Sequence, residues 1–186
     1  MFHRKESLRA RERATEYATC KDFREIFTED MAGLHLLAYL LTADAAKAEE
    51  CFVAGLEESM QGNQVFKQWA RAWSKRAIIQ SAVRMMSPEL GKSNEVPAQP
   101  EEMPNNPLLS LVVRWKPFER FVFVMSVLEG YSVRECSSLL GSRDHDVIAT
   151  KSEVLQRLAN ETARSESVSG PARKPWISFF ARAQVA

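Results

Sequence analysis

Apolar positions in the first half of the chain recur at helical spacing. From Asp22 to about Leu41 they are Phe23, Ile26, Phe27, Met31, Leu34, Leu37, Ala38 and Leu41, which predicts one helix buried along one side. Thr42 can cap a second helix, Ala43 to about Met60, with Ala48, Cys51, Phe52 and Leu56 turned inward. That helix carries Asp44, Glu49, Glu50, Glu57 and Glu58 against Lys47 alone. Gln61-Gly62-Asn63-Gln64 is a turn, and a long helix follows from Val65 to Met86. Phe66, Trp69, Ala70, Trp73 and Ala77 line one side of it, with the two tryptophans expected in the core. Lys67, Arg71 and Lys75 recur at i, i+4 and i+8 on another side, with Arg76 and Arg84 beyond and no acidic residue in the segment. A merely solvated face usually mixes signs, so this one points to an anionic partner.

Ser87 to Pro107 interrupts the periodicity with Pro88, Gly91, Pro97, Pro100, Pro104 and Pro107 among small polar residues, the composition of an extended linker. Helical pattern resumes at Leu108. Pro117 suits a first helical turn, with Glu119 and Arg120 expected on the surface and Phe118, Val122, Met125 and Leu128 inside. Glu129-Gly130 ends that helix. Ser132 and Glu135 have capping-box spacing for the next, whose apolar stripe is Cys136, Leu139 and Leu140 and whose stop is Gly141. Asp144 or Asp146 can cap a further helix that buries Val147, Val154 and Leu158. A short helix, a glycine-bearing turn and a second helix predict a helix-turn-helix, a motif whose second helix usually enters the major groove of DNA.

The pattern therefore predicts an all-α chain of two small helical domains. The divisions are a charged arm or helix over 1–21, a domain over 22–86, a linker over 87–107, a helix-turn-helix domain over 108–160 and an aromatic tail over 161–186. In the tail, KPWISFFARAQVA carries Trp176, Ile177, Phe179 and Phe180, which are costly to leave in water and are expected to pack back on a domain or grip a partner. The arm mixes Arg4, Lys5, Arg9, Arg11 and Arg13 with Glu6, Glu12 and Glu16, as a solvated helix or a basic arm would.

Composition narrows the function by exclusion. A formal net charge of +1 over 186 residues gives no bulk argument for nucleic acid, so the distribution of charge must carry it. No apolar run approaches the roughly 20 residues that span a bilayer, and the charged N-terminus lacks a signal-peptide core. Cys20, Cys51 and Cys136 lack paired spacing and read as buried reduced thiols of a cytoplasmic protein. His3, His35 and His145 stand apart, so no metal or other cofactor is expected. There is no glycine-rich phosphate loop and no nucleophile beside a base at a recognisable spacing, so an enzyme acting on a small-molecule substrate is not expected.

The run WKPFERFVFVMSVLEGYSVRECSSLLG resembles the promoter-reading C-terminal domain of bacterial RNA polymerase sigma factors of the extracytoplasmic-function class. Pro117, Arg120, Val122, Phe123, Leu128, Glu129, Gly130, Ser132, Glu135, Leu140, Gly141 and Val147 fall, without gaps, where that family's pattern wants them. The acidic helix followed by a basic, tryptophan-bearing one is similar to the N-terminal domain of the same family, and the linker lies where the family carries one. The resemblance covers Asp22 to Leu158.

It implies a non-enzymatic subunit that binds core RNA polymerase and directs it to promoter DNA, in some cases under an anti-sigma factor. Asp44, Glu49, Glu50 and Glu57 would face polymerase. Lys67, Arg71, Lys75, Arg76 and Arg84, with Phe66 and Trp69, would hold the melted strand of the −10 element, cations following phosphates and aromatic rings meeting unstacked bases. Arg143, His145, Lys151 and Arg157 would contact the upstream duplex at the −35 element. Two departures motivate an alternative. The second helix of the helix-turn-helix has Asp146, Ile148 and Thr150 where the family places threonine and cations, and the acidic helix has Cys51, Phe52, Val53 and Ala54 where a more polar surface is common. The alternative is a sigma-like protein-interaction module that regulates transcription through polymerase or an anti-sigma-type partner without reading promoters.

Overall fold

The computed structural model describes residues 16–62, 64–89 and 107–168. The expected arm up to Thr15, most of the linker and the aromatic segment of the tail lie outside these residues. Among the described residues the secondary structure is helical, with no strand; the one β-type contact is an isolated bridge between Tyr17 and Phe66. The helices fall into two compact units, the first ending at Met86 and the second holding every described helix from Pro107 onward.

In the first unit the segment expected as one helix is two, α1 (Cys20–Glu29) and α2 (Met31–Thr42). Thr19 starts α1 through a capping box with Asp22. The break falls at Asp30, which leaves helical geometry at φ −111°, ψ 26°. Its carboxylate folds over Gly33, where a β-carbon would collide with it, and accepts from Arg71 Nη1 at 2.9 Å. A side chain in that position competes with helix continuation.

α2 ends on Ala43 in the left-handed region (φ 55°), with its N–H donating to Tyr39 O at 2.7 Å. This displaces the expected cap. Thr42 is buried and its hydroxyl turns back to Ala38 O (2.9 Å), while Asp44 caps α3 (Ala45–Gln61) by accepting from Lys47 N at 3.0 Å.

α3 buries a stripe of small side chains, Ala48, Cys51, Gly55 and Ser59, whereas Phe52 and Leu56 are half-buried. The stripe lets α4 (Ala70–Met86) approach closely. Cys51 Sγ donates to Ile78 O at 3.2 Å, and a β-carbon on Gly55 would lie 2.5 Å from Ile78 Cγ1 and 3.2 Å from its Cα. Leu34, Leu37 and Leu41 of α2 and Ile78 and Ile79 of α4 complete the core. A 3₁₀ turn, Lys67–Trp69, leads into α4.

In the second unit α5 spans Pro107–Val112 and α6 spans Pro117–Phe123, continuing as a π-helical turn over Val124–Leu128. Gly130 (φ 72°) turns the chain, and α7 (Val133–Leu140) begins with the Ser132–Glu135 capping box. Gly141 (φ 60°) ends α7, the backbone state that glycine adopts without a steric cost. α8 starts at Asp144 and runs to Val168, past the expected boundary at 160. Val112, Val113, Phe118, Phe121, Phe123, Met125, Cys136, Val147 and Val154 form the core.

Arg120, expected on the surface, is 1 % exposed. Its Nη1 lies 3.2 Å from Val113 O and 3.3 Å from Trp115 O, carbonyls of the turn that follows α5. A guanidinium with several donors satisfies such acceptors in a way no apolar residue can. Glu119, also expected on the surface, is largely covered by Arg157.

Candidate functional site

The cations of α4 and of the 3₁₀ turn before it lack acidic neighbours within their own segment and find them elsewhere. Lys67 Nζ lies 3.0 Å from Asp22 Oδ1 of α1. Arg71 reaches Asp30 Oδ2 at 2.9 Å and Glu29 Oε2 at 3.6 Å. Arg84 pairs with Glu58 of α3. The single sign seen along the helix is therefore mixed in three dimensions. Pairs of this exposed kind are worth about 0–1 kcal/mol each, so a phosphate can exchange for the carboxylate at little cost. Lys75 and Arg76 are half-buried one turn further along.

Trp69, expected in the core, is 56 % exposed. Four residues separate it from Trp73, which puts two side chains on one face only if both belong to one α-helix. Trp69 instead closes the 3₁₀ turn and points outward. Its ring meets Phe66 edge-on at 5.2 Å, and Phe66 stacks on Tyr17 at 4.7 Å. Trp73 follows the expectation in part, packing against the Phe23, Val65 and Ala70 cluster with its indole Nε1 buried and without a hydrogen-bond partner. An outward indole fixed beside lysine and arginine offers a flat apolar face next to cations.

On α3, Asp44 is half-buried and occupied as the helix cap, while Glu49, Glu50 and Glu57 are exposed. Val53, 52 % exposed, sits one turn from Glu49 and one from Glu57. That face presents an apolar spot framed by carboxylates.

The expected duplex contacts on α8 divide. Arg143 and His145 are exposed at its start. Asp146 accepts from Arg143 N at 3.4 Å and lies 2.9 Å from His145 Nε2, so its carboxylate serves the helix start. Lys151 and Arg157 bond within their own unit, Arg157 while still exposed. Lys151 Nζ donates to Ser126 O of the π-helical turn at 3.3 Å, and Arg157 donates twice to Glu119 at 3.0 and 2.8 Å. That bidentate pair raises the Arg157 pKa further. Thr150 is buried, and two apolar side chains are exposed among the polar outward positions: Ile148 is 54 % exposed and Leu155 39 %. The residues at 148 and 155 share a face at i and i+7, a spacing present in the sequence.

Among the described residues no three His, Cys, Asp or Glu side chains form a group able to hold a metal, and no helix is long and apolar enough to cross a membrane. Cys51 and Cys136 are buried thiols, each pushed up to about 11 chiefly by burial. Cys20, expected to be buried, is exposed beside Met60 O. Comparison with protein-family models, with curated proteins and with solved structures gives no match.

Proposed function

We propose that this chain is a sigma factor-like transcription initiation subunit, bacterial and cytoplasmic, that binds core RNA polymerase and directs it to promoter DNA. The observation that carries the reading is the ungapped run from Pro117 to Val147. Its Pro117, Ser132, Glu135 and Gly141 stand where that family's pattern wants them, and they coincide with the start of α6 and with the start and end of α7. In this reading α7 and α8 are the helix-turn-helix of the second domain, with Arg143 and His145 at the duplex. The first domain holds the melted strand along Trp69, Lys67, Arg71, Lys75, Arg76 and Arg84, and meets polymerase through Glu49, Glu50 and Glu57 beside the capping Asp44.

A second reading is favoured by one observation: Lys151 and Arg157 of α8 are bonded within their own unit, while Ile148 and Leu155 are exposed on the same helix. Under it the chain is a sigma-like interaction module that regulates transcription through polymerase or an anti-sigma-type partner.

Run-off transcription with purified core polymerase and pooled genomic fragments separates the two. Discrete transcripts absent from core alone are expected of the first reading, and the double charge reversal Lys75→Glu, Arg76→Glu is expected to abolish them while polymerase binding persists. Co-elution with polymerase without transcripts supports the second. Transcripts that survive the charge reversal remove Lys75 and Arg76 from the strand-holding role.

A further inference from the structure

Three of the groups that the first unit offers to a melted strand, Phe66, Lys67 and Arg71, are met by one short stretch of the same chain. Tyr17 forms an isolated bridge with Phe66, and Ala18 N donates to Val65 O at 2.7 Å. That pairing lays the Tyr17 ring on Phe66, with centroids 4.7 Å apart and planes 22° from parallel. An unstacked base settles on an aromatic side chain in the same near-parallel way. Phe66 in turn meets the exposed Trp69 edge-on.

Two residues on, Thr19 starts α1, and its capping box decides where the Asp22 carboxylate points. Oδ2 accepts from Thr19 N at 2.7 Å and from Thr19 Oγ1 at 2.6 Å, which leaves Oδ1 to face Lys67 Nζ at 3.0 Å. At the far end of α1, Glu29 and Asp30 hold Arg71. The stretch 16–30 therefore sets one ring on Phe66 and carboxylates on Lys67 and Arg71. It holds five acidic residues against Lys21 and Arg24, and Lys21 lies 3.6 Å from Glu25 within α1. A single strand presents the same two kinds of group, flat rings and anions.

We propose that residues 16–30 are an intramolecular stand-in for a single strand. The Tyr17 ring takes the place of an unstacked base on Phe66, and Asp22 and Asp30 take the places of phosphates on Lys67 and Arg71. This rests on the strand-holding assignment above and adds its regulation. Phe23 and Phe27 are buried and anchor α1, so the Tyr17–Ala18 stretch and the ion pairs are what give way. Strap and strand compete, and the apparent affinity for a strand is the intrinsic one reduced by the fraction of molecules whose strap is open.

The test uses the full chain and a short labelled oligodeoxythymidine at fixed salt. Exchange of the Ala18 N–H, followed by NMR in the wild type, is expected to quicken as the oligonucleotide binds. Binding that leaves Ala18 protected overturns the competition. In anisotropy titrations Tyr17→Ala and Asp22→Asn are each expected to bind at least about threefold tighter than wild type, and Lys67→Glu more weakly. A purely structural strap gives the opposite sign, because loosening the site would weaken it. Glu25→Gln makes the same charge change on α1 at a residue that pairs with Lys21 instead. A gain there equal to that of Asp22→Asn assigns the effect to net charge and overturns the proposal. If neither strap variant binds tighter while Lys67→Glu still weakens binding, the strap falls and the strand-holding assignment stands. Affinity unchanged by both Lys67→Glu and Trp69→Ala removes that assignment and the strap with it, as does absence of binding in wild type and variants alike.

Discussion

Single residues decide where this sequence departs from its own periodicity. Arg120 occupies a position that a helical wheel marks as polar and outward, yet the turn after α5 leaves carbonyls that a multi-donor side chain reaching inward satisfies. Arg120→Met fills a similar volume and strands those acceptors. It is expected to cost about 2–4 kcal/mol in denaturant unfolding of the second unit. Asp22 is a second case. Hydrogen bonds from the Thr19 hydroxyl and backbone, then from Lys67, hold its carboxyl at about 2 against an ordinary 3.8. A carboxyl whose folded pKa is depressed contributes stability above its unfolded pKa and loses it as pH falls toward the folded value. Stability should therefore drop by about 1 kcal/mol between about pH 4 and pH 2, with solvent screening limiting the size. Asp22→Asn should remove that part of the pH dependence, as thermal melts across the window would show. The Thr19–Asp22 box has readable spacing; the partnership with Lys67, 45 positions away, does not.

Elements were legible where local chemistry fixes them and obscure where tertiary contacts do. The Ser132–Glu135 box, Gly130, Gly141 and the Pro117 start are local devices, and each stands at the helix end it implies. The break at Asp30 is not of that kind, because it depends on Arg71 of a different helix. Nor is the inward face of α3. Hydrophobicity favours Phe52 and Leu56, but the tight crossing with α4 selects Gly55 and Ser59. Gly55→Ala brings a methyl group against the Ile78 side chain and backbone together, so the helices must part. A loss of about 1–3 kcal/mol is expected in unfolding of the first unit, with little change on the matching substitution of exposed Ala72 by serine. Trp69 was misplaced for a related reason: a turn of 3₁₀ helix before α4 rotates it off the face that the four-residue spacing implies.

At the scale of the molecule the charge pattern was the least legible feature. The basic run on α4 and the acidic run on α3 look like two separate surfaces in the sequence, yet Arg84 and Glu58 join them, and α1 supplies partners for Lys67 and Arg71. Among the described residues, what remains exposed and unlike its surroundings is apolar: Met31, which the periodicity places inside, with Val53 and Trp69 in one unit, and Ile148 and Leu155 in the other. Partner binding should therefore respond to aromatic and aliphatic substitution at these positions as much as to salt. The cysteines carry a consequence of a different order. Each unit holds one buried thiol, Cys51 beneath the α3–α4 crossing and Cys136 under α8, and both are protonated and inert while covered. In a Cys20→Ser chain, the rate at which each is alkylated is thus a clock for transient opening of its own half. Arg120→Met should quicken the clock at Cys136 and leave that at Cys51 unchanged, and Gly55→Ala the reverse; if either substitution quickens both, the halves do not open separately. The protein carries an internal, site-resolved stopwatch for its two halves, needing no engineered label.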